Sequence, residues 1–212
     1  MSNPLPIEKE GAVDRRGQIL DAAICCFAKR GFHLTSMHDI SAEAGISVGL
    51  IYRYFENKEA VISAMADQHK KEISEVLERA RQAPTLLESL EVLFTAHCHE
   101  KGSQVTAAFV VDLFAEASRN PRVAALVHDV CETVKHGVTD LIARAPETKN
   151  ASHNLSPQQV AELIFAVNDG LLMREAVNLS PISDDERREQ QLQVARRLWR
   201  LLFTAHPVPA YA

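Results

Sequence analysis

The sequence has little of what a β-rich fold needs. Glycine occurs only 8 times among 212 residues and aromatic residues make up 6% of the chain, although strands and their tight turns draw on both. No segment alternates apolar and polar residues like a half-buried strand, whereas apolar residues recur at helical spacing along most of the chain. We therefore expect an all-α fold, with a sizeable core because 46% of the residues are hydrophobic.

The chain also lacks the cysteine patterns of disulfide-bonded and zinc-binding proteins. The spacing of its 4 cysteines fits neither a disulfide framework nor a zinc site, and the adjacent Cys25 and Cys26 cannot readily pair with each other on a helix. His97-Cys98-His99 invites a metal site, but residues two apart on a helix point in different directions. We expect no metal, no cofactor and, since no targeting segment or long apolar run is present, a protein of the reducing cytoplasm.

A positive excess of charge and the common catalytic motifs are missing as well. The net charge is −5, and residues 1–60 carry seven Lys and Arg against eight Asp and Glu. Any basic surface must then come from arrangement, with Arg15, Arg16, Arg53 and Lys58 gathered on one side. No glycine-rich phosphate loop, Gly-x-Ser-x-Gly elbow or recognisable Cys/His pair occurs, so we do not expect an enzyme.

The chain divides into an arm, a small amino-terminal unit and a larger helical body. Residues 1–13 contain two prolines among charged residues and are expected to be flexible. We place the boundary between the two helical units near residue 60, giving domains 14–60 and 61–212. Helical periodicity and capping residues predict helices over 14–30, 58–82, 85–101, 104–119 and 121–142, and helices opening at Ser156 and Ser183.

Residues 35–58, TSMHDISAEAGISVGLIYRYFENK, have the pattern of two short helices joined by a tight turn. Thr35 and Ser36 offer side-chain oxygens that cap the first helix. Gly45 supplies the left-handed or open backbone that ends it. Ser47 then caps a second helix two residues later.

The second helix, expected to reach Phe55, carries unusual side chains. Ile51 and Phe55 are four apart and can bury one face, whereas Tyr52, Arg53 and Tyr54 occupy the rest. Two tyrosines and an arginine on an exposed face suit contact with phosphate oxygens of DNA. The alternative is a short amphipathic helix with solvated polar residues, but the two caps, the turn glycine and the Tyr-x-Tyr-Phe run together favour DNA.

The pattern resembles the helix-turn-helix of the TetR (tetracycline-repressor) family of transcription regulators. The matching residues are Gly31-Phe32, Thr35-Ser36, Asp39-Ile40, Ala44-Gly45-Ile46-Ser47, Gly49, Ile51-Tyr52, Tyr54-Phe55 and Lys58. The resemblance is strong from about Gln18 to Met65 and only architectural beyond. It departs at His38, where the family often has arginine, and at Leu50, where it often has a small polar residue.

The resemblance implies how this unit would meet DNA. The helix from Ser47 to Phe55 would lie in the major groove, with Val48, Gly49 and Leu50 facing bases and the two apolar side chains contacting groups such as thymine methyls. Phosphates would be held mainly by Ser36, His38, Ser47, Tyr52, Tyr54 and Lys58, with Arg53 able to do either.

The resemblance also implies a ligand-binding and dimerisation body. The last two helices are strongly apolar and would pair with their twofold mates, although ordinary core is the alternative. The predicted interface comprises Val160, Leu163, Ile164, Val167, Leu171, Val194, Leu198, Trp199 and Leu202.

An effector pocket would lie among the helices between Pro84 and Arg174. Its candidate residues are polar groups within apolar stretches and large apolar side chains, each of which could equally be plain packing or surface. They are Phe94, His97, Phe109, Asp112, Glu116, His128, Phe165, Asn168, Asp169 and Met173.

We therefore predict a homodimeric transcription regulator, most simply a repressor, that is released from a palindromic double-stranded DNA operator by a small-molecule effector. Effector binding would tilt the helix after Lys58 and change the distance between the two DNA-reading units, which are residues 14–60 of each chain. The competing hypothesis is an all-helical interaction or adaptor module that does not bind DNA.

Overall fold

The computed structural model describes residues 14–99, 106–150, 154–177 and 182–203, and every regular element in these ranges is helical. The predicted all-α fold is confirmed, whereas the predicted arm, residues 1–13, lies outside the described residues. The helices are α1 (Arg15–Leu34), α2 (Met37–Glu43), α3 (Val48–Ile51), α4 (Lys58–Arg81), α5 (Leu86–His99), α6 (Ala107–Ala117), α7 (Pro121–Arg144), α8 (Pro157–Ala176) and α9 (Asp184–Phe203), with a 3-10 turn at Pro146–Asn150. None of these helices is both long and apolar enough to cross a membrane.

Serine caps open four of the helices, as the sequence predicts. The hydroxyl of Ser36 accepts a hydrogen bond from the Asp39 N–H at 3.1 Å, and that of Ser47 from the Leu50 N–H at 3.2 Å. Ser156 and Ser183 make the equivalent bonds at the starts of α8 and α9. Each serine satisfies an amide that the first helical turn leaves without a partner.

Thr35 does not share in the capping, contrary to the prediction. Its side chain is 1% exposed, and its hydroxyl donates to the carbonyl oxygen of Gly31 at 2.8 Å. A second carbonyl, that of Cys26, lies 3.3 Å from the same hydroxyl oxygen. Thr35 therefore closes the end of α1, because a buried hydroxyl needs a partner and the carbonyls at a helix end need donors.

The helix α3 is shorter than predicted and ends at Ile51. The Arg53 N–H donates to the Leu50 carbonyl at 3.1 Å and the Tyr54 N–H to the Ile51 carbonyl at 3.0 Å. These bonds span three residues rather than four, so the chain tightens into a turn that continues to Phe55. The prediction that Ile51 and Phe55 bury one face is confirmed, since they are 0% and 3% exposed.

Two apolar clusters form the core. The first joins α1, α2, α3 and the start of α4, and it includes Phe109 of α6 and Val123 of α7. The second lies between α5, α7, α8 and α9 and contains Phe94 and Trp199, whose rings meet edge to face at 5.8 Å. The amino-terminal unit is thus packed directly against the body through α6 and the start of α7.

Candidate nucleic-acid interface

The turn between α2 and α3 is fixed by backbone contacts. Gly45 has a φ of +64°, and the next amide, that of Ile46, donates to the Ser41 carbonyl at 3.0 Å. The Gln18 side chain of α1 donates to the Ala44 carbonyl at 2.7 Å. The turn is therefore tied to the first helix, and α3 is held at a set angle to α2.

The predicted DNA-contacting side chains lie largely on the outside of this unit. Tyr52 and Tyr54 are 52% and 41% exposed, a large fraction for aromatic residues. Among the other candidates, Ser36, His38, Ser47, Gly49 and Arg53 are exposed, and Val48 and Leu50 are half-buried. Apart from its chain neighbours and the backbone of its own helix, no heavy atom lies within 4 Å of the position that a Cβ would take on Gly49, so that side of the backbone is open.

Ion pairs neutralise part of the positive charge of the amino-terminal unit. Lys29 pairs with Glu43 at 3.0 Å and Arg30 with Asp39 at 2.7 Å, so carboxylates of α2 neutralise two cations of α1. By contrast, the Arg16 guanidinium lies 5.0 Å from the centre of the Phe55 ring. Arg16 is thereby held beside Phe55, at the end of the turn that follows α3. The gathering of Arg15, Arg53 and Lys58 on the same side remains a prediction.

Asp39 combines the roles of cap and charge partner. Its carboxylate accepts bonds from the Ser36 hydroxyl and N–H, at 2.6 and 2.8 Å, and these bonds lower the pKa of Asp39, with a smaller contribution from Arg30. The start of α2 is therefore stabilised by an ionised carboxylate, which also suits the positive end of the helix dipole.

Lys58 is occupied within the protein. Its ammonium group donates to the carbonyl oxygen of Phe32 at 2.8 Å and to that of His33 at 3.3 Å, and it lies 4.5 Å from the centre of the Phe32 ring. The side chain links the start of α4 to the corner between α1 and α2. A phosphate contact by Lys58, which remains a prediction, would have to share or replace these bonds.

The predicted pocket residues are spread over both clusters and the surface. Phe94 belongs to the second cluster, Phe109 stacks on Phe27 in the first with ring centres 6.4 Å apart, and Glu116 is buried near Asn120. Phe165 and Asn168 are half-buried, His128, Asp169 and Met173 are exposed, and the side chain of His97 lies outside the described residues.

Asp112, the remaining pocket candidate, contacts the amino-terminal unit instead. Its carboxylate accepts a hydrogen bond from the Phe32 N–H at 2.7 Å. The two residues are 80 positions apart, and no pattern in the sequence indicates that they meet.

An open cleft of about 680 Å³ lies between α4, α7 and the start of α8. Its lining includes Leu77, Arg81, His136, Asp140 and Gln158, and it contains none of the described pocket candidates. No group of three or more potential metal ligands gathers anywhere in the described ranges.

The predicted dimer residues differ sharply in exposure. Val160, Ile164 and Trp199 are 1–3% exposed and pack inside the second cluster, so they support the outer surface rather than form it. Leu163 and Val194 are 44% and 49% exposed, so their side chains lie on the outer surface of α8 and α9. Val167, Leu171, Leu198 and Leu202 are half-buried.

Comparison with known proteins finds two family matches that together cover most of the chain. Residues 19–65 match the family described as bacterial regulatory proteins, tetR family. Residues 86–203 match the family described as BetI-type transcriptional repressor, C-terminal. The first match covers the helix-turn-helix unit, and the second covers α5 to α9.

Individual relatives agree with these matches. The HTH-type transcriptional regulator UidR of Escherichia coli strain K12 is 30% identical over 161 residues, which cover 74% of this chain and 79% of UidR. The HTH-type nicotine-responsive transcriptional repressor HdnoR of Paenarthrobacter nicotinovorans is 25% identical over 162 residues, covering 74% and 81%. Among solved structures, Salmonella enterica GusR superposes with a TM-score of 0.72 at 26% identity, over 92% of this chain and 99% of GusR.

Proposed function

Because the chain belongs to the TetR family of bacterial regulatory proteins and is a DNA-binding transcription regulator, we propose that it acts as a homodimeric repressor of a palindromic operator and is released by a small-molecule effector. Family membership excludes the adaptor hypothesis and an enzymatic role. Its place of action would be the cytoplasm, where its DNA lies.

The observation that carries the proposed DNA surface is the exposure of Tyr52 and Tyr54 on a turn whose inner side is fully buried. Ile51 and Phe55 anchor the segment, so the two phenols are presented on a rigid backbone. Ordering a flexible aromatic side chain on binding costs conformational entropy, and a rigid support reduces that cost. The hydroxyls can then donate to phosphate oxygens without large rearrangement.

Base contacts would come from the first turn of α3. Val48 and Leu50 are half-buried, so part of each side chain is available to a thymine methyl, and open space around Gly49 permits close approach of the backbone to the groove. Ser36, His38 and Ser47 would hold phosphates on either side. Arg16, whose guanidinium lies over the Phe55 ring, joins Arg53 as a candidate phosphate contact.

A dimer is supported by the exposed apolar residues of α8 and α9. Leu163 and Val194 present aliphatic surface that a second copy of the chain would cover. Two DNA-reading units related by a twofold axis read two half-sites about 34–36 Å apart, or a multiple of that distance. A palindromic operator would match this symmetry.

An effector would bind in the body and favour an arrangement of the two units whose spacing does not fit the operator. The description of one relative as nicotine-responsive supports a small-molecule effector for this chain.

The proposed surface is tested with two matched arginine variants. Arg53 is exposed beside the tyrosines, and Arg122 is exposed at the start of α7 in the body. Arg53→Ala should weaken binding to an operator fragment and reduce the slope of log Kd against log salt by about 1, whereas Arg122→Ala should change neither. Equal behaviour of the two variants would contradict the proposed surface.

Tyr52→Ala and Tyr54→Ala extend the test to the phenols. Each variant removes a hydroxyl and a rigid aromatic contact, so we expect about fivefold to a hundredfold weaker binding. Their thermal unfolding should stay near that of the wild type, since both side chains are largely exposed. Unchanged DNA affinity in both variants would exclude them from the interface.

A further inference from the structure

The corner between α1 and α2 is held from two sides by other parts of the chain. The Phe32 N–H donates to the Asp112 carboxylate of α6 at 2.7 Å, and the Phe32 carbonyl accepts from the Lys58 ammonium of α4 at 2.8 Å. Phe32, a single residue of the DNA-reading unit, is thus bonded to α6 through its amide and to α4 through its carbonyl.

The backbone at Gly31 creates the position that Asp112 fills. Gly31 has φ +77° and ψ 161°, a conformation that essentially only glycine adopts. This break in α1 changes the direction of the next amide, that of Phe32. A Cβ on Gly31 would lie 3.2 and 3.4 Å from the two oxygens of Asp112, so the glycine also leaves room for the carboxylate.

The helix α6 contacts the same corner through apolar side chains. Phe109 precedes Asp112 by three residues and therefore shares its face of the helix. Its ring stacks on Phe27 with centres 6.4 Å apart, and Phe27 in turn lies 5.3 Å from Phe32. The same helix packs against α7 and α8, which places it between the DNA-reading unit and the rest of the body.

We propose that Asp112 is a positioning residue for DNA binding, which fixes the orientation of the DNA-reading unit relative to α6. The apolar contact of Phe109 holds the two parts together but is compatible with small rotations. The hydrogen bond of Asp112 is directional and charge-assisted, so it selects one rotation. The hydrogen bond between Asp112 and Phe32 does not depend on the proposed function. Only a role of this bond in passing an effector signal to the DNA-reading unit rests on the proposed function.

The first test measures amide hydrogen exchange of the full-length protein without DNA. In Asp112→Ala, exchange at Phe32 should rise about tenfold or more, because its amide loses a charged acceptor. Asp112→Asn keeps an acceptor oxygen of similar size and should retain most of the protection. If the alanine variant fails to fold, Asp112→Asn still tests the bond, because a neutral acceptor is weaker and should leave exchange at Phe32 measurably faster than in the wild type.

Asp129→Ala is the matched control. The Asp129 carboxylate of α7 bonds to the Lys70 ammonium of α4 at 2.6 Å, so it also joins two helices through an aspartate but does not reach the corner. Exchange at residues 31–36 should be unchanged in this variant. An equal rise in both alanine variants, or no rise in Asp112→Ala, would overturn the proposal.

The second test measures the Kd for the fragment of DNA that the wild type binds most tightly. Asp112→Ala should bind about three- to tenfold more weakly, because a freely rotating unit must be ordered on the DNA. The salt slope should be unchanged, since no phosphate contact is removed, and Asp112→Asn should restore most of the affinity. A Kd equal to or below that of the wild type would overturn the positioning role.

The two tests separate failure of this proposal from failure of the proposed function. If the wild type bound no fragment, the proposed operator reading would fail, while the exchange measurement would still decide whether Asp112 holds the corner. If the wild type bound DNA but exchange at Phe32 did not respond to Asp112→Ala, only the positioning proposal would fail.

Discussion

Gly31 and Gly49 show two different uses of glycine within one DNA-reading unit. Gly31 has a left-handed φ and lies against the Asp112 carboxylate, whereas Gly49 lies in the helix α3 with open space where a side chain would be. The first is required by the fold, since no other residue adopts its backbone conformation without strain. The second is not, and its lack of a side chain fits the proposed close approach of its backbone to DNA.

Alanine at these two positions should therefore have opposite effects. Gly31→Ala should lower the free energy of unfolding by about 1–3 kcal/mol, from backbone strain and the displaced carboxylate. Gly49→Ala should leave stability unchanged or raise it by up to about 1 kcal/mol, since alanine favours helix, while weakening DNA binding. Chemical denaturation and DNA titration of both variants check this, and a destabilised Gly49→Ala would contradict the assignment.

Asp39 gives the start of α2 a defined pH dependence. Its pKa in the folded protein is lowered by the Ser36 bonds, so the ionised carboxylate stabilises the fold above the unfolded pKa of about 3.9. That contribution is lost as the pH falls through the folded pKa. Asp39→Ala should thus have a lower Tm than the wild type at pH 5–7, and the difference should shrink below about pH 4.

Asp21→Ala provides the control for this measurement. Asp21 is exposed on α1 and takes no part in the capping bonds of α2. Its Tm should follow that of the wild type across the same pH range. A difference between Asp39→Ala and the wild type that persisted unchanged at pH 3 would show that the ionised cap is not its cause.

Single residues also mark how far the sequence could be interpreted alone. Ser36 and Ser47 were predictable as caps because their partners lie three residues away. The contacts of Lys58 and Asp112 join residues 26 and 80 positions apart, and only the folded chain brings them together. Resemblance to a family indicates which residues are near DNA but not which of them are already bonded within the protein.

At the scale of elements, α8 and α9 each combine a buried side with an exposed apolar side. Periodicity predicted both helices but did not divide their apolar residues between core and surface. The structure places Val160 and Trp199 in the core and leaves Leu163 and Val194 outside. The dimer proposal therefore depends on the exposed residues.

Leu163→Glu and Val194→Glu should each weaken the dimer at least tenfold. A symmetric interface would bury two copies of each carboxylate without a partner, at a cost of several kcal/mol. Sedimentation equilibrium measures the change in the association constant. Leu34→Glu is the control, since Leu34 is 76% exposed in the DNA-reading unit and should not alter assembly. Wild-type association in both α8 and α9 variants would place the interface elsewhere.

The helices α4 and α7 pack closely at Gly137, and a substitution there tests this contact. A Cβ at Gly137 of α7 would lie 2.5 Å from the Leu77 side chain of α4. Gly137→Val should lower the free energy of unfolding by about 1–3 kcal/mol, because the leucine must leave its position. Denaturation measures this, and Gly170→Val, at a helical glycine with no heavy atom within 4 Å, should cost less.

At the scale of the whole molecule, the DNA-reading unit packs directly against the body and is not joined to it by the chain alone. The first apolar cluster includes residues of α6 and α7, so a movement of either helix reaches the DNA-reading unit directly. The predicted tilt of α4 would be one route between a proposed effector and DNA, and the proposed contact at Phe32 would be another. The net charge of −5 means that DNA affinity depends on how a few cations are arranged and not on total charge.

The central claim is best tested by fluorescence anisotropy of the purified protein with DNA fragments that flank its own gene, at two salt concentrations. We expect tight, saturable binding to one palindromic fragment, with two chains per duplex and weaker affinity at the higher salt. Weak binding of equal strength to every fragment, unaffected by Tyr52→Ala, would contradict it.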